Sequence, residues 1–522
     1  MSLAVLASQA LCGLEGFSVR VEVHVGPGLP AFGLVGLPDA GVRESRERVR
    51  SAILSSGFEF PAGRITVNLA PADLPKESGR FDLSIAMGVL AASGQLAVPA
   101  DASGAPQPAD LSGYVFAGEL SLTGAVAAVS APLAIALSVA RTQPDARLIL
   151  PAACAGSAAR VKGLVILAAR TLADVVAHFC GGPPLPDALP DAAPVAPPCA
   201  PCLSQVRGQP VARRALEIAA AGGHSLLMSG PPGAGKSMLA QRLPGLLPPL
   251  ADSQVLEVAA LASMGGREPP LSDVPPFRAP HHSASVPALV GGGVRPRPGE
   301  ISLAHHGVLF LDELPEFRRS ALEALREPLE TGCVAIARAS RTLTFPAAFQ
   351  LVAAMNPCPC GWLGHARMRC ACTPDGIERY RARLSGPLLD RIDLQISLPA
   401  ADADWMDAPP SEPSAAVRQR VLACRQRQAA RQGCPSAALD VAGIDRYCVP
   451  DTAARRLLQA AMLRWGWSAR VVHRVLRIAR TLADMDSSGL IGEAHMAEAV
   501  QYRQPWGEGP GRLLDKATKK NI

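Results

Sequence analysis

The alternation of apolar and polar positions changes along the chain. In the first third, short strand-like runs alternate with helix-like runs: strands are predicted at Ser18–Val25 and Arg64–Leu69, and helices at Ala40–Ser56 and Asp82–Ser93. This alternation is typical of an α/β domain. Near the other end, Ser468–Arg480 places apolar residues at helical spacing with arginines between them, which predicts an amphipathic helix.

Three apolar runs in the middle of the chain are followed by polar or glycine residues. They are His224–Ser229, Gly307–Leu311 and Phe349–Met355. Runs of this length and apolarity are typical of buried strands, and the residues that follow such strands lie at a carboxyl edge where ligands bind.

The first of these strands leads into a glycine-rich loop and then into a helix. Backbone N–H groups of such a loop turn inward on phosphate groups, the lysine reaches the β and γ phosphates, and the hydroxyl that follows can ligate Mg2+. Only six of the 522 residues are lysines, against 45 arginines, so the lysine at this position is not a product of composition. We predict a nucleoside triphosphate site formed by Gly230, Pro231, Pro232, Gly233, Ala234, Gly235, Lys236 and Ser237.

The second and third strands supply further catalytic residues. Asp312 is predicted to hold Mg2+ and Glu313 to activate the attacking water, because phosphoryl transfer depends mainly on positioning and electrostatics. An Asp-Glu pair alone is also common as a solvated strand end, but a phosphate loop in the same domain favours the catalytic interpretation. Asn356 follows the third strand, where it would sense the γ-phosphate.

Arg391 lies in a later segment and has no evident partner in its own nucleotide site. It is predicted to act as an arginine finger on a neighbouring subunit. A surface ion pair with Asp390 or Asp393 is the alternative.

Four longer strings accompany these motifs: Pro276–Ser285, Arg297–His305, Leu311–Phe317 and Asn356–Gly361. With them, the chain resembles the magnesium-chelatase-like branch of the AAA+ ATPases, and within it the YifB/ComM family. The resemblance extends over nearly the whole chain.

The resemblance implies an α/β fold: a P-loop AAA+ core with a helical C-terminal lid, preceded by a Lon-protease-like α/β domain. It also implies a ring, a hexamer, that hydrolyses ATP and moves DNA in a sequence-independent manner, promoting branch migration or unwinding during natural transformation. Arg470 would be the second sensor, reaching the γ-phosphate from the lid. Residues Gly265–Gly299, which are rich in Gly, Pro, His and Arg, would form an exposed irregular insertion that projects into the pore of the ring.

The Lon-like resemblance rests in part on Gly118–Gly124. It aligns Asp82 with the serine nucleophile of a Lon-type peptidase and Leu133 with its lysine base. Lys76 and Ser78 are nearby in sequence but belong to a polar turn. We therefore predict that the N-terminal domain has no catalytic dyad and serves as a scaffold for assembly or for DNA.

Composition marks the predicted boundaries. One segment is rich in proline and another in Asp, Pro and Ser, which is typical of linkers, and the length of the chain fits about three domains. The predicted parts are an N-terminal α/β domain (1–180), a linker (181–203), the ATPase core (204–399), a second linker (400–413) and the helical lid (414–522).

The basic residues are concentrated at the C-terminal end. Residues 414–522 contain 15 Arg and 3 Lys against 9 Asp and Glu, a net charge of +9, whereas the whole chain carries +6. The lid is therefore a candidate surface for DNA or for acidic partners. For Arg474, Arg477 and Arg480 on its amphipathic helix, a solvated face is expected.

A hairpin is predicted where Cys333–Ala337 and Thr342–Phe345 flank Arg338 and Arg341. Basic residues at a hairpin tip suit phosphate contacts with DNA, which carry most non-specific affinity. An ordinary solvated hairpin is the alternative.

Four cysteines follow Asn356 closely: two pairs of the form Cys-x-Cys are separated by nine residues. Four thiolates can complete a tetrahedral zinc site, although zinc ribbons usually place two residues within each pair. Redox chemistry and loop packing are the alternatives. A structural Zn2+ would fix a loop that carries two further DNA-binding candidates, Arg367 and Arg369; its ligands would be Cys358, Cys360, Cys370 and Cys372.

The adjacent histidines His281–His282 and His305–His306 are expected to position the insertion through polar contacts rather than to bind a metal. Neighbouring histidines point in different directions, and neither pair is joined by acidic or cysteine ligands at the usual spacing. Thirteen scattered cysteines fit a reducing compartment, no secretory signal is evident, and the apolar run Ala125–Ala140 is too short to span a membrane. We predict a cytoplasmic protein. Its other conceivable functions are a chelatase-type motor subunit acting on a protein partner, a Lon-like protease-associated unfoldase, and an assembly protein without ATP turnover.

Overall fold

The structure of the chain is a computed structural model that describes residues 2–36, 40–72, 79–98, 107–191, 201–266, 271–293, 296–337, 342–365, 367–400 and 410–504. Its residues pack into two compact units. One unit consists of residues 1–195 with 255–271 and 337–344, and the other of the remaining residues.

The elements of the N-terminal third alternate between strands and helices. The strands are β1 (Ser2–Cys12), β2 (Glu15–Gly26), β3 (Ala31–Val35), β4 (Arg64–Ala70), β5 (Ala97–Val98), β6 (Gln107–Pro108), β7 (Tyr114–Phe116), β8 (Glu119–Leu120), β9 (Val126–Ala127), β10 (Arg147–Pro151) and β11 (Val165–Ala169). The helices are α1 (Ala40–Ser55), α2 (Asp82–Ala92), α3 (Pro132–Thr142), α4 (Ala152–Ala158) and α5 (Leu172–Phe179). The two strands and two helices predicted here from periodicity are confirmed as β2, β4, α1 and α2.

Among the described residues, a mixed sheet in the order β11-β10-β7-β1-β2-β4-β3 forms the frame of this unit. Strands β1 and β2 pair antiparallel over their full length, whereas β7, β10 and β11 run parallel to β1. Helix α2 packs on β1 and β2 and is buried along almost its whole length, because apolar and small residues occupy nearly all its positions. The α/β pattern expected from the sequence is therefore present.

The rest of the described chain contains the following elements. The strands are β12 (Leu226–Ser229), β13 (Phe277–Arg278), β14 (Gly291–Gly292), β15 (Arg297–Pro298), β16 (Val308–Leu311), β17 (Cys333–Ala337), β18 (Thr342–Pro346), β19 (Gln350–Met355) and β20 (Leu394–Ser397). The helices are α6 (Pro210–Gly222), α7 (Lys236–Ala240), α8 (Asp252–Met264), α9 (Val286–Val290), α10 (Glu300–Leu303), α11 (Arg319–Glu323), α12 (Pro328–Thr331), α13 (Pro374–Arg381), α14 (Gly386–Leu389), α15 (Ser414–Gln432), α16 (Val441–Tyr447), α17 (Thr452–Trp465), α18 (Ala469–Met485) and α19 (Glu493–Gln501).

A parallel sheet in the order β13-β16-β19-β12-β20 forms the centre of the second unit. The three strands predicted from apolar runs are confirmed as β12, β16 and β19, and every residue of these three strands is buried. Strands covered on both faces are expected to be continuously apolar. Because all five strands are parallel, the residues that follow them meet at one edge of the sheet.

Residues 271–293 and 296–299, the larger part of the segment Gly265–Gly299, contain more regular structure than the sequence indicated. Its residues Phe277 and Arg278 form the edge strand β13, parallel to β16. Leu289 of α9 is fully buried, and the side chain of Arg278 forms an ion pair of 2.6 Å with Glu300. The prediction of a wholly exposed irregular insertion is therefore wrong for this part, because a two-residue strand is too short to produce a periodic signal. The hairpin predicted at Cys333–Ala337 is confirmed as β17 and β18, which form a two-stranded sheet.

Three arginines of α18 make internal contacts, contrary to the expectation of a solvated face. Arg480 on α18 is 1% exposed and forms an ion pair of 2.9 Å with Asp484. Arg474 contacts Asp393 at 2.5 Å, and Arg477 donates to the backbone oxygen of Leu439. Burial of an arginine is tolerable when carboxylate or carbonyl oxygens accept hydrogen bonds from its guanidinium. The partners of Arg474 and Arg477 lie far away along the chain, where periodicity does not reveal them.

In the described residues, no helix is both long enough and apolar enough to cross a membrane.

Candidate functional site

The phosphate loop joins β12 to α7. Gly233 and Gly235 have φ angles of +78° and +88°, in the left-handed region that favours glycine. A Cβ at Gly230 would lie 2.8 Å from the backbone oxygen of Leu398. The glycines at these three positions are therefore required by backbone conformation and by close packing.

The Lys236 side chain is buried at the start of α7. Its Nζ donates to the backbone oxygens of Gly230 and Pro231 at 2.6 and 3.0 Å, and to Oδ1 of Asn356 at 3.1 Å. Burial lowers the pKa of Lys236, while the charges of Asp312 and Glu313 oppose that shift. The structure thus brings together the predicted phosphate-binding lysine and the predicted γ-phosphate sensor.

Two Mg2+ ligands predicted from sequence are also adjacent. Ser237 Oγ donates to Asp312 Oδ2 at 2.6 Å, and Asp312 Oδ1 accepts the backbone N–H of Glu313 at 2.9 Å. A hydroxyl and a carboxylate are oxygen ligands of the type that Mg2+ uses beside nucleotide phosphates. These residues fit the ion, which would neutralise charge on the β and γ phosphates.

Glu313 has an unusual backbone conformation. Its φ is +52°, in the left-handed region, which for a residue other than glycine costs about 1–3 kcal/mol. Its Oε2 lies 3.0 Å from Nδ1 of His282, and its side chain is 53% exposed. The carboxylate of Glu313 is therefore accessible to solvent at the strand end and lies within hydrogen-bond distance of His282.

His282 is a site residue whose role the sequence analysis did not identify. It was expected to position the insertion through polar contacts, and its contact with Glu313 could not be inferred, because Glu313 is 31 positions away along the chain. The sequence feature that pointed to His282 was the string Pro276–Ser285, in which it lies. Its neighbour His281 instead contacts Ser283 Oγ at 2.8 Å.

The side chain of Arg391 has its partners within its own chain but outside the phosphate loop, so its role as an arginine finger stays a prediction. Its guanidinium forms an ion pair of 2.6 Å with Glu330 at the end of α12 and donates to the backbone oxygen of Pro387 at 2.7 Å. The alternative partners, Asp390 and Asp393, are not the ones used. The side chain is only 7% exposed, so it is held rather than free.

Arg470 lies on α18, away from the phosphate loop. It lines a cavity of about 800 Å³ together with Arg391, Arg474 and Arg477. None of the phosphate-loop residues, all of which the structure describes, lines this cavity. Arg470 and Arg391 therefore line the same cavity, and the phosphate loop of their own chain does not contribute to it.

A buried carboxylate joins α18 to the sheet. Asp393 Oδ2 lies 3.2 Å from Nδ1 of His224, and its Oδ1 accepts from Arg474 at 2.5 Å. The other ring nitrogen of His224 contacts Thr481 Oγ1 at 2.8 Å. Burial alone would raise the pKa of Asp393, but the charge of Arg474 and the hydrogen bond with His224 hold it below its usual range.

The four cysteines after Asn356 converge in space. The Sγ atoms of Cys358, Cys360 and Cys370 lie 3.4 to 3.6 Å apart, and the Sγ of Cys372 is within 4.8 Å of all three. Backbone N–H groups of Trp362 and Ala371 lower the pKa of Cys360 to about 6.

Of the four arginines predicted to contact DNA, the structure describes two. Arg367 and Arg369 are exposed in the loop between the two cysteine pairs. Arg338 and Arg341 lie outside the described residues.

The positions aligned with a peptidase dyad hold no such pair. Asp82 is fully buried, and its Oδ2 accepts from Nε of Arg48 at 2.6 Å. Burial raises the pKa of Asp82, while the hydrogen bonds from Arg48 and Ser45 oppose that shift. Leu133 is a buried apolar residue. Lys76 and Ser78 lie outside the described residues.

Three stretches of the sequence match magnesium chelatase families. Residues 202–406 match "Magnesium chelatase, subunit ChlI", residues 21–154 match "Subunit ChlI of Mg-chelatase", and residues 411–503 match "Magnesium chelatase, subunit ChlI C-terminal". The chain is also 45% identical over 512 residues to the protein YifB of Escherichia coli strain K12, covering 96% of this chain and 97% of YifB.

The chain belongs to the YifB/ComM family of magnesium-chelatase-like AAA+ ATPases. A second member, the competence protein ComM of Haemophilus influenzae strain Rd, is 46% identical over 511 residues, which cover 96% of this chain and 98% of ComM. A Mycobacterium tuberculosis H37Rv protein is 42% identical over 513 residues, covering 97% of this chain and 99% of the relative. The parallel sheet and its phosphate loop fit this family of ATPases, whose nucleotide is ATP with Mg2+.

Proposed function

We propose that this protein is an ATP-driven DNA motor that assembles into a hexameric ring and promotes branch migration. The observation that carries the proposal is the set of contacts at the carboxyl edge of the parallel sheet. There, Lys236 meets Asn356, Ser237 meets Asp312, and Glu313 stands beside them in an exposed position. Phosphoryl transfer needs this combination of phosphate-binding, Mg2+-binding and water-activating groups.

In the proposed mechanism, the phosphate loop and Lys236 bind the β and γ phosphates. Bound Mg2+ would neutralise phosphate charge, held by Ser237 and Asp312. Glu313 accepts a proton from the attacking water, with its carboxylate oriented by His282. Asn356 contacts Lys236 directly, so it can respond to the loss of the γ-phosphate.

Two arginines are proposed to act on the neighbouring subunit. Arg391 and Arg470 line one cavity that the phosphate loop does not reach, so each would complete a nucleotide site of an adjacent chain in the ring. Arg391 would first exchange its ion pair with Glu330 for the phosphates. Such a requirement makes hydrolysis depend on assembly.

DNA is proposed as the partner because the relative ComM is named a competence protein, and competence is the uptake of DNA. The exposed Arg367 and Arg369 are the favoured contacts with phosphates. The C-terminal helices are less favoured as a DNA-binding surface than their net positive charge indicated, because several of their arginines form contacts inside the protein.

The N-terminal unit is proposed to be a Lon-like scaffold without peptidase activity. A serine nucleophile needs a base within hydrogen-bond reach, and the two aligned positions hold an ion-paired carboxylate and a leucine. This disfavours a protease-associated unfoldase. A chelatase-type motor that acts on a protein partner remains the second candidate, because all three matching families are named for a chelatase subunit.

The test is strand exchange from a labelled three-strand DNA junction with ATP at low and moderate salt. Lys236→Ala should abolish nucleotide binding and strand exchange, and Glu313→Gln should retain binding but lose both hydrolysis and exchange. Glu316→Gln, the same change three residues away on an exposed side chain, is the matched control and should behave as wild type. ATP hydrolysis and DNA binding without any ATP-dependent strand movement would overturn the DNA motor and favour the chelatase-type motor.

A further inference from the structure

We propose that Cys358, Cys360, Cys370 and Cys372 bind one Zn2+ ion, and that this ion fixes a loop that supports the phosphate loop. The proposal of a zinc site rests only on the positions of the four cysteine sulfur atoms. Its coupling to nucleotide binding rests on the proposed ATPase function.

The distances between the sulfur atoms fit one tetrahedral ion. Zinc–thiolate bonds of about 2.3 Å place the sulfurs of a tetrahedron about 3.8 Å apart. Three of the four Sγ atoms lie 3.4 to 3.6 Å apart, and all four lie within 4.8 Å of one another. A disulfide would need about 2.05 Å, so the cysteines are not paired as disulfides.

A single ion explains this arrangement better than an iron–sulfur cluster does, since bridging sulfides and several irons would hold the four cysteines farther apart. With four protein thiolates, the coordination of zinc is complete and leaves no position for water, which is typical of a structural site. The backbone N–H of Leu363 donates to Cys358 Sγ at 3.3 Å and would support its thiolate.

The cysteines connect two regular elements. Cys358 follows the end of β19 and is fully buried, and Cys372 immediately precedes Thr373, the N-cap of α13. An ion bound by all four residues would close the loop between these elements and remove most of its freedom.

The closed loop touches the nucleotide site at Gly361. A Cβ added to Gly361 would lie 2.7 Å from Cδ of Pro232 in the phosphate loop and 3.9 Å from Cγ of Asn356. Gly361 also has a φ of +82°, which favours glycine. The loop therefore packs against Pro232 and against the residue that binds Lys236, so its order affects the order of the phosphate loop.

The first experiment measures metal in the purified full-length protein by emission spectroscopy, without added metal or chelator. We expect one zinc per chain, lost in Cys358→Ser/Cys370→Ser and retained in Cys333→Ser, a matched change elsewhere in the same unit. If the double variant does not fold, the wild type can be loaded with Co2+ in place of the bound metal and its absorption spectrum measured. We expect thiolate-to-cobalt charge-transfer bands and the d–d bands of a tetrahedral site. Wild type without stoichiometric metal, or with iron in place of zinc, would overturn the site.

The second experiment tests the coupling with a fluorescent ATP analogue. Gly361→Ala keeps all four thiolates and should retain zinc, but should bind the analogue about tenfold more weakly than wild type. Gly364→Ala, in the same loop with open space around it and a similar positive φ, controls for backbone strain and should weaken binding less. Equal affinity in wild type and Gly361→Ala would overturn the coupling and leave the zinc site intact. A wild type that does not bind the analogue at all would instead overturn the proposed ATPase function.

Discussion

His282 Nδ1 lies 3.0 Å from Oε2 of Glu313, so a residue between α8 and α9 contacts the carboxylate that follows β16. Glu313 is in a strained left-handed conformation, and the contact holds its side chain in one orientation. The proposed water-activating group is therefore contacted by a residue of the segment that was expected to form the insertion.

The His282→Ala variant should hydrolyse ATP with a kcat at least about tenfold lower, because Glu313 would lose its orientation, while KM changes little. The measurement is steady-state hydrolysis across a range of ATP concentrations. His281→Ala is the matched control, since His281 contacts Ser283 and not Glu313. A rise in KM with unchanged kcat would contradict a positioning role.

Arg391→Ala should abolish hydrolysis and be rescued in mixtures with Lys236→Ala. In a mixed ring, the intact phosphate loop of one variant can receive the intact arginine of the other, and loss of a finger arginine costs about 10³–10⁵ in rate. The measurement is hydrolysis at a series of mixing ratios. A mixture of Lys236→Ala with Glu313→Gln should not recover, because both residues act on the nucleotide of their own chain and every site in the mixed ring therefore keeps one defect. Equal behaviour of the two mixtures would mean that Arg391 acts within its own chain.

Arg367→Gln/Arg369→Gln should weaken DNA binding and reduce the slope of log affinity against log salt by about 2, because each arginine would neutralise one phosphate. The measurement is fluorescence anisotropy with single-stranded and duplex DNA at several salt concentrations. Arg455→Gln/Arg456→Gln removes the same charge from exposed positions on α17 and should leave the slope nearly unchanged. The reverse result would place the DNA-binding surface on the C-terminal helices.

The contribution of Asp393 to stability should disappear in acid. Because the folded-state pKa lies below the unfolded value of about 3.9, the stabilisation is present above that pH and is lost as pH falls through the folded value. Asp393→Asn should lower the free energy of unfolding by about 3 kcal/mol at pH 7, since it leaves the largely buried Arg474 without its carboxylate, and the difference from wild type should narrow below pH 4.

Urea denaturation at pH 7, 4 and 3 measures this effect. Asp445→Asn, a change on an exposed residue of α16, is the control and should differ little from wild type at each pH. A difference between Asp393→Asn and wild type that does not change with pH would mean that folding leaves the pKa of Asp393 unshifted, and one that widens in acid would mean that folding raises this pKa.

The parts of the site that are contiguous in sequence could be predicted, and those that depend on distant contacts could not. The strands before Gly230, Asp312 and Asn356 could be predicted from their apolar runs, because a strand that is buried on both faces of a parallel sheet consists mainly of apolar residues. The partners of His282 and Arg391 come from segments 31 and 61 positions away, and nothing in local composition identifies them.

The burial of charged residues was also not predicted from the sequence. Arg480 was expected on a solvated face because helices usually expose arginine, but Asp484, one turn later, makes its burial tolerable. The sequence feature that could have indicated this burial is a carboxylate four residues after an arginine on a helix. Most such pairs lie on the surface, however, so the feature does not distinguish a buried pair from an exposed one.

Asp393 has one consequence beyond stability. It lies two residues after Arg391, and its partner Arg474 lies one helical turn after Arg470. Asp393 therefore links the segments that carry Arg391 and Arg470 to His224, which lies just before the strand leading to the phosphate loop. In the proposed ring, a shift at the nucleotide site of one subunit would move both of its arginines together, which would couple hydrolysis in consecutive subunits.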